Sequence, residues 1–119
     1  MAFQIERNTG VWQSVEYSSF SVGPEADKYR LSVTGFSGDT GDAMAAPINP
    51  MRVVNGMQFS SSDQDNDNSG GQCLDGVSGW WFNNCARSTL NRDTNADWNA
   101  ETDVAIKDVT FVRMLVKLD

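Results

Sequence analysis

The stretch Asn55 to Cys85, NGMQFSSSDQDNDNSGGQCLDGVSGWWFNNC, constrains the fold more than any other part of the sequence. It places Asp63, Asp65 and Asp67 at alternate positions, then Gly70-Gly71, then Trp80-Trp81-Phe82, with both cysteines of the protein inside it. From Ser60 to Asn99 neither a helical nor a strand period is sustained. A loop region of that length in a compact domain needs something other than regular structure to hold it. A metal and a disulfide would serve.

Hard cations suit the acidic ladder. Calcium takes carboxylate, carbonyl and water oxygens, so closely spaced Asp followed by a turning backbone makes a plausible cage. Zinc is disfavoured, because the sequence has no His and two Cys are too few for a structural site. An EF-hand fits poorly: counting from Asp65, Gly70 falls at position 6, but position 12 is Gly76 in place of the bidentate Glu. Asp, Asn, Ser and Gly also populate plain solvated turns, so the residues alone leave that reading open. The cysteines stand twelve positions apart, as free thiols in a reducing compartment or one disulfide in an oxidising one.

Either side of this stretch the pattern is β. Phe3-Gln4-Ile5-Glu6 alternates apolar and polar and ends at the turn Asn8-Thr9-Gly10. Trp12 to Val22 is β-rich, with Val15 and Tyr17 on one face. Beyond the break at Gly23-Pro24, Tyr29, Leu31 and Val33 face one way, which predicts an antiparallel hairpin. Gly35 to Gly41 reads as turn-forming, and Asp42 as the cap of a brief helix through Met44 to Ala46, stopped by Pro47. Pro47 to Pro50 reads as irregular, and Met51 to Phe59 as extended with a turn at Asn55-Gly56. Val104 to Leu118 carries apolar residues on both faces, as a central strand buried on both sides does. The expected class is α+β, mostly β: a twisted antiparallel sheet with short helices and a long loop region packed at one end.

At 119 residues and 39% apolar, the sequence is one folded domain. Its net charge of −7, with nine scattered basic residues, argues against a nucleic-acid partner. No run approaches the ~20 apolar residues that span a bilayer, so membrane insertion is not expected. The first residues have neither the basic nor the apolar region of a signal peptide, leaving a cytosolic protein or a piece of a secreted one. With no His base and no pair of facing carboxylates, a binding protein is expected in place of an enzyme.

NGMQFSSSDQDND followed by Cys and SGWWFNNC resembles the fibrinogen C-terminal domain of fibrinogens, ficolins, tachylectins, angiopoietins and tenascins. VGPEADKYRLSVTGFSGDTGDAM, Val22 to Met44, is similar to the segment before that family's calcium loop, especially in the gamma chain. Leu90-Asn91, Trp98 and Ile106 to Arg113 resemble its LNG, late Trp and closing strand. The resemblance covers nearly the whole sequence and implies the C-terminal portion of such a domain, with 1–59 and 100–119 building the sheet and 60–99 the calcium and ligand loops.

It further implies a secreted protein, a Cys73–Cys85 disulfide worth about 3 kcal/mol in the chain-entropy model, and one Ca2+. The implied ligands are the side chains of Asp65 and Asp67, the carbonyls of Ser69 and Gly71, and water, with Asp63 outside the first shell. Metal and disulfide are expected to order 60–99, and the sheet to persist without them.

Three readings follow from the resemblance: glycan recognition in innate immunity, as in the lectin members; protein, receptor or peptide binding, as in angiopoietins, tenascins and fibrinogen; or a purely structural calcium-stabilised domain. The candidate ligand contacts are Trp80, Cys85, Ala86, Arg87 and Arg92. Trp80-Trp81-Phe82 is expected to give at least one ring to the core, with sugar stacking the lesser role. Many members have His after the second cysteine, in a bond that the resemblance implies to be cis; Ala86 stands there. The Tyr after LNG is absent, Arg92 and Asp93 following Asn91, and the segment to Trp98 is short. Calcium binding therefore transfers well and ligand specificity poorly. Affinity for acetylated sugars is expected to be weak, with Arg87 and Arg92 favouring anionic partners.

Overall fold

The computed structural model describes residues 1–45, 50–71, 73, 79–86, 88–91, 97–98 and 109–116. Its main sheet is antiparallel, with strands β1 (Ala2–Arg7), β2 (Trp12–Val22), β3 (Leu31–Gly38) and β8 (Val109–Leu115) in the order β3-β2-β1-β8. Two short pairs complete it: β4 (Phe59–Ser61) with β5 (Gly79–Trp81), and β6 (Ser88–Thr89) with β7 (Asp97–Trp98). The 3-10 turns Glu25–Asp27 and Pro50–Arg52 are its only helical pieces among the described residues.

The alternation in the sequence decides which face is inside. Phe3, Ile5, Val15, Tyr17, Leu31 and Val33 are all buried, because a period of two sends every second side chain to one face. The apolar residues of the loops cover that face: Met44, Val54, Trp80, Trp81, Phe82, Leu90 and Trp98 join the same cluster. The described apolar residues of the loop region thus pack on the sheet's inner face. Sheet and loops share one core.

Three expectations are corrected. Gly35 to Gly38 belongs to β3 and is no turn. A Cβ on Gly35, at φ +73°, would sit 1.8 Å from Ser18 Oγ, and one on Gly38 would sit 2.7 Å from Ser14 O. These glycines permit close approach of β2 within a strand. Asp42 starts no helix among the described residues: its Oδ1 accepts from the N–H groups of Met44 and Ala45 at 3.0 Å each and from the Tyr17 hydroxyl at 2.5 Å. Ala46 to Asn49 lie outside the described residues. Strand β8 is an edge strand, paired with β1 alone among the described elements, and Phe111, Met114 and Leu115 are exposed. Apolar residues on both faces signalled two-sided burial, but nothing described packs beyond its outer edge.

Smaller differences follow the backbone. Tyr29 lies before β3 in the hairpin turn, where Lys28 and Tyr29 adopt φ of 53° and 55° and Tyr29 is exposed. Between Met51 and Phe59 extended structure is limited to the start of β4, although the turn at Asn55-Gly56 is present. A part-buried Asn55 contact fixes that turn: its Oδ1 accepts from Val33 N–H at 2.8 Å.

Candidate functional site

The acidic loop leaves β4 and folds back on itself. Asp63 is occupied at once, its Oδ1 accepting from the Ser61 hydroxyl at 2.6 Å. That hydrogen bond holds the Asp63 carboxyl below the usual carboxylate range. Asn66 anchors the loop inward, its N–H donating to Ser60 Oγ and its amide to Phe59 O.

Asp65 and Asp67 then act together. Asp65 Oδ1 accepts from the Asp67 N–H at 3.2 Å, and Asp67 Oδ1 from the Ser69 N–H at 2.9 Å. Asp67 Oδ2 accepts from the Cys73 N–H at 3.3 Å, which ties the acidic loop to the first cysteine. Burial raises the Asp67 carboxyl above its ordinary value; the Ser69 and Cys73 N–H groups oppose that, and the adjoining Asp65 carboxylate adds to it. Two carboxylates brought together in this way want a positive charge between them.

No group of three or more His, Cys, Asp or Glu able to hold a metal occurs among the described residues. A cation at this loop therefore rests on two carboxylates supplemented by backbone carbonyls and water, a donor set that suits calcium. Ser69 and Gly71 lie in the turn directly after Asp67, and among the described residues neither carbonyl accepts a hydrogen bond. The oxygens fit the group that the sequence implies.

The disulfide forms the second wall. Cys73 and Cys85 are bonded, with Cα atoms 5.7 Å apart. Asn83 joins the pieces. Its carbonyl and Oδ1 accept from the Asn68 N–H and amide at 3.0 Å each, and its own amide donates to Pro50 O and Val53 O. Asn84 N–H donates to Met51 O, so three loops meet at Asn83-Asn84. The sequence does not single these residues out. Asn is common in turns, and nothing local distinguishes one that bridges segments distant in sequence.

The cis peptide bond is Asn84–Cys85, one bond earlier than the Cys85-Ala86 position indicated by resemblance. The Asn83 N–H donates to Cys85 O at 2.6 Å across it, so the tight turn closes before Ala86 is reached. Cys85 and Ala86 are half-buried beside the core. Trp80 is not available as a ligand platform: it is 1% exposed, its ring 5.3 Å from that of Trp81. Trp81 is buried too, between Phe20 and Phe59, with its Nε1 donating to Tyr29 O. Both tryptophans belong to the core because β5 is covered on each face. Arg87 and Arg92 lie outside the described residues.

A hollow of about 240 Å³ lined by Gln4, Ser14, Glu16 and Asp39 opens on the sheet's other face and shares no residue with the acidic loop.

The family model described as "Fibrinogen beta and gamma chains, C-terminal globular domain" matches residues 1–111. The protein is 44% identical to the human fibrinogen gamma chain over 98 residues, which is 74% of this chain and 21% of that one. It is 37% identical to rat fibrinogen-like protein 1 over 94 residues, covering 74% of this chain and 30% of the relative. Among solved structures, lamprey fibrin D-dimer complexed with the peptide ligand Gly-His-Arg-Pro-amide superposes with a TM-score of 0.69 at 29% identity, over 76% of this chain and 31% of that one. The fibrinogen-like globe domain of human ANGPTL6 gives a TM-score of 0.65 at 34% identity, over 76% and 38%. The chain thus spans between about a fifth and a third of the curated relatives just described.

Proposed function

Since the protein belongs to the family defined by the C-terminal globular domain of fibrinogen beta and gamma chains, we propose that it is a calcium-dependent, extracellular recognition module that binds a protein or peptide ligand. The observation that carries the reading is the Asp65–Asp67 pair. Two carboxylates share one partly buried turn, and one of them is bonded to the N–H of a disulfide cysteine. Calcium supplies the compensating charge and fixes the turn. Asp65 and Asp67 hold it through their side chains, and Ser69 and Gly71 through their carbonyls. The metal and the Cys73–Cys85 bond then jointly set the backbone around Asn83 to Ala86, where a ligand docks.

A peptide ligand is favoured over a glycan by the burial of Trp80, which removes the ring on which a sugar would stack. The lamprey fibrin neighbour is itself a complex with a peptide. An oxidising compartment agrees with the disulfide. No helix among the described residues is long and apolar enough to cross a membrane. The role is binding and not catalysis.

Titration calorimetry with calcium, on the native protein and on Asp67→Ala, tests the metal. Heat of binding in the first and its loss in the second are expected; undiminished binding in the variant rejects the assignment. A screen of acidic peptides, a sialylated glycan and N-acetylglucosamine, in calcium and in chelator, tests the ligand class. Calcium-dependent peptide binding is expected, and tight N-acetylglucosamine binding counts against it.

A further inference from the structure

Asn55 is the only asparagine of the sequence followed by glycine. In such a pair the glycine nitrogen can attack the side-chain amide, because no Cβ on the second residue hinders its approach. The structure draws both reacting groups into other bonds. The Gly56 N–H donates to Leu31 O at 2.9 Å, and Asn55 Oδ1 accepts from the Val33 N–H at 2.8 Å in a part-buried bond. Three further bonds hold the turn: Leu31 N–H to Met57 O at 3.0 Å, Arg30 Nη1 to Gly56 O at 2.7 Å, and Asn55 N–H to Met44 O at 3.0 Å. Strand β3 pairs with β2 along its other edge, so the turn stands in for a neighbouring strand, with a side-chain oxygen as one rung.

Attack requires the Gly56 nitrogen to give up its proton and the Asn55 side-chain carbonyl carbon to swing onto that nitrogen. Neither happens while Leu31 holds the proton and Val33 holds the oxygen. Local opening of the turn frees both at once.

We infer that Asn55-Gly56 is a modification site kept closed by its pairing with β3, one that reacts when the turn opens and cannot close again once it has rearranged to isoaspartate. The Gly56 nitrogen forms a bond to Asn55 Cγ, its proton passes to solvent, and the side-chain nitrogen leaves as ammonia. Water then opens the cyclic imide at either of its two carbonyls. Cleavage of the new bond leaves aspartate. Cleavage of the original peptide bond leaves isoaspartate, with the main chain running through the side-chain carbons. The net change replaces an amide nitrogen by a water oxygen, and nothing is oxidised or reduced. Aspartate keeps an oxygen where the Val33 N–H needs one. Isoaspartate lengthens the main chain by one carbon between the N–H groups that bond Met44 and Leu31, so the rungs at Leu31 and Val33 cannot both re-form. Openings of the turn are thus converted into a permanent change just ahead of β4 and the acidic loop.

Where a segment opens and recloses faster than the chemistry, its rate is that of a free peptide multiplied by the open fraction. Hydrogen exchange at the Gly56 and Val33 amides measures that fraction. Peptide mapping by mass spectrometry in heavy-oxygen water measures conversion, in the native protein and in a synthetic peptide covering residues 51–60. The protein is expected to convert at least roughly tenfold more slowly than the peptide, by the factor that exchange gives. Arg30→Met, which removes the bond to Gly56 O, is expected to raise exchange and conversion together. Circular dichroism checks its fold, and the native protein in low urea supplies the same comparison if it does not fold. Asn55→Asp is expected to keep the protection of the Val33 amide, and the isoaspartate form, separated by chromatography, to lose it. Equal rates in protein and peptide, conversion that does not follow exchange, aspartate as the sole product, or an isoaspartate form as well protected as Asn55→Asp overturns the inference.

Discussion

Asp67 concentrates the chemistry of the acidic loop in one carboxyl group. Its pKa is raised, so the metal-free folded state holds that proton more tightly than the unfolded state does. The sign follows by linkage. Between neutral pH and the ordinary aspartate value of about 3.9, acidification protonates Asp67 in the folded state first. This group therefore favours the metal-free fold as pH falls and disfavours it as pH rises through the raised value. Calcium requires the ionised form, so its affinity moves the opposite way. Calcium titrations at stepwise lower pH, from neutral toward the ordinary aspartate value, are expected to show weakening at the proposed site as Asp67 protonates, with any stabilisation by calcium shrinking in parallel. An acid weakening that is unchanged in Asp67→Asn would show that another group is responsible.

Asn83 is the residue that sequence could not show. It is 9% exposed, and its amide and carbonyl groups serve three segments at once. Replacing it with Ala removes the amide donor to the Pro50 and Val53 carbonyls and the side-chain acceptor of the Asn68 amide. Hydrogen bonds of this kind contribute about 0.5–1.5 kcal/mol each. Asn83→Ala is expected to lower stability by about 2–3 kcal/mol in urea denaturation, with a weakened calcium response because Asn68 adjoins Asp67. A loss under about 0.5 kcal/mol, the size of an ordinary surface substitution, would show that these bonds are replaceable.

Among the elements, strands whose residues alternate are legible and glycine-containing ones are not. Phe3 and Ile5, Val15 and Tyr17, and Leu31 and Val33 mark β1, β2 and β3 because alternation in the sequence is alternation in space. Gly35 and Gly38 look like a turn, since glycine punctuates local structure, but their use here depends on Ser18, Ser14 and Val15 across the hairpin. That partner is invisible in a local window. That β8 pairs with β1 alone among the described strands is hidden for a related reason: apolar residues on both faces report burial demand, not what is present to meet it. Gly35→Ala combines a left-handed backbone costing roughly 1–2 kcal/mol with overlap on Ser18. It is expected to destabilise the fold by at least about 2 kcal/mol and Ser18→Gly to restore part of this. Melting temperatures of the two single variants and the pair decide it; an unaffected Gly35→Ala would place the hairpin in a different register.

At the scale of the molecule, the sequence suggests that sheet and loops are separable, the sheet keeping its form when the metal is removed. The disposition of the core argues for coupling. Trp98 packs 5.6 Å from Phe3, centroid to centroid, and its Nε1 donates to Gly41 O, so a residue from 60–99 lies directly on β1. Trp80, Phe82 and Leu90 cover the same face. Without these side chains the inner surfaces of β1, β2 and β3 meet water. Whatever holds the loops in place therefore holds the sheet's cover in place. A ligand that binds only the folded state adds about 2.7 kcal/mol at a hundred times its dissociation constant, and this stabilisation reaches every residue that opens only by global unfolding. Hydrogen exchange in calcium and in chelator reads the coupling amide by amide. On chelation, protection is expected to fall together at Ile5, Val15 and Val33 in the sheet and at Trp80 and Phe82 in the loops. If the sheet amides keep their protection while those of the loops lose it, the two parts open separately and the shared core contributes little cooperativity.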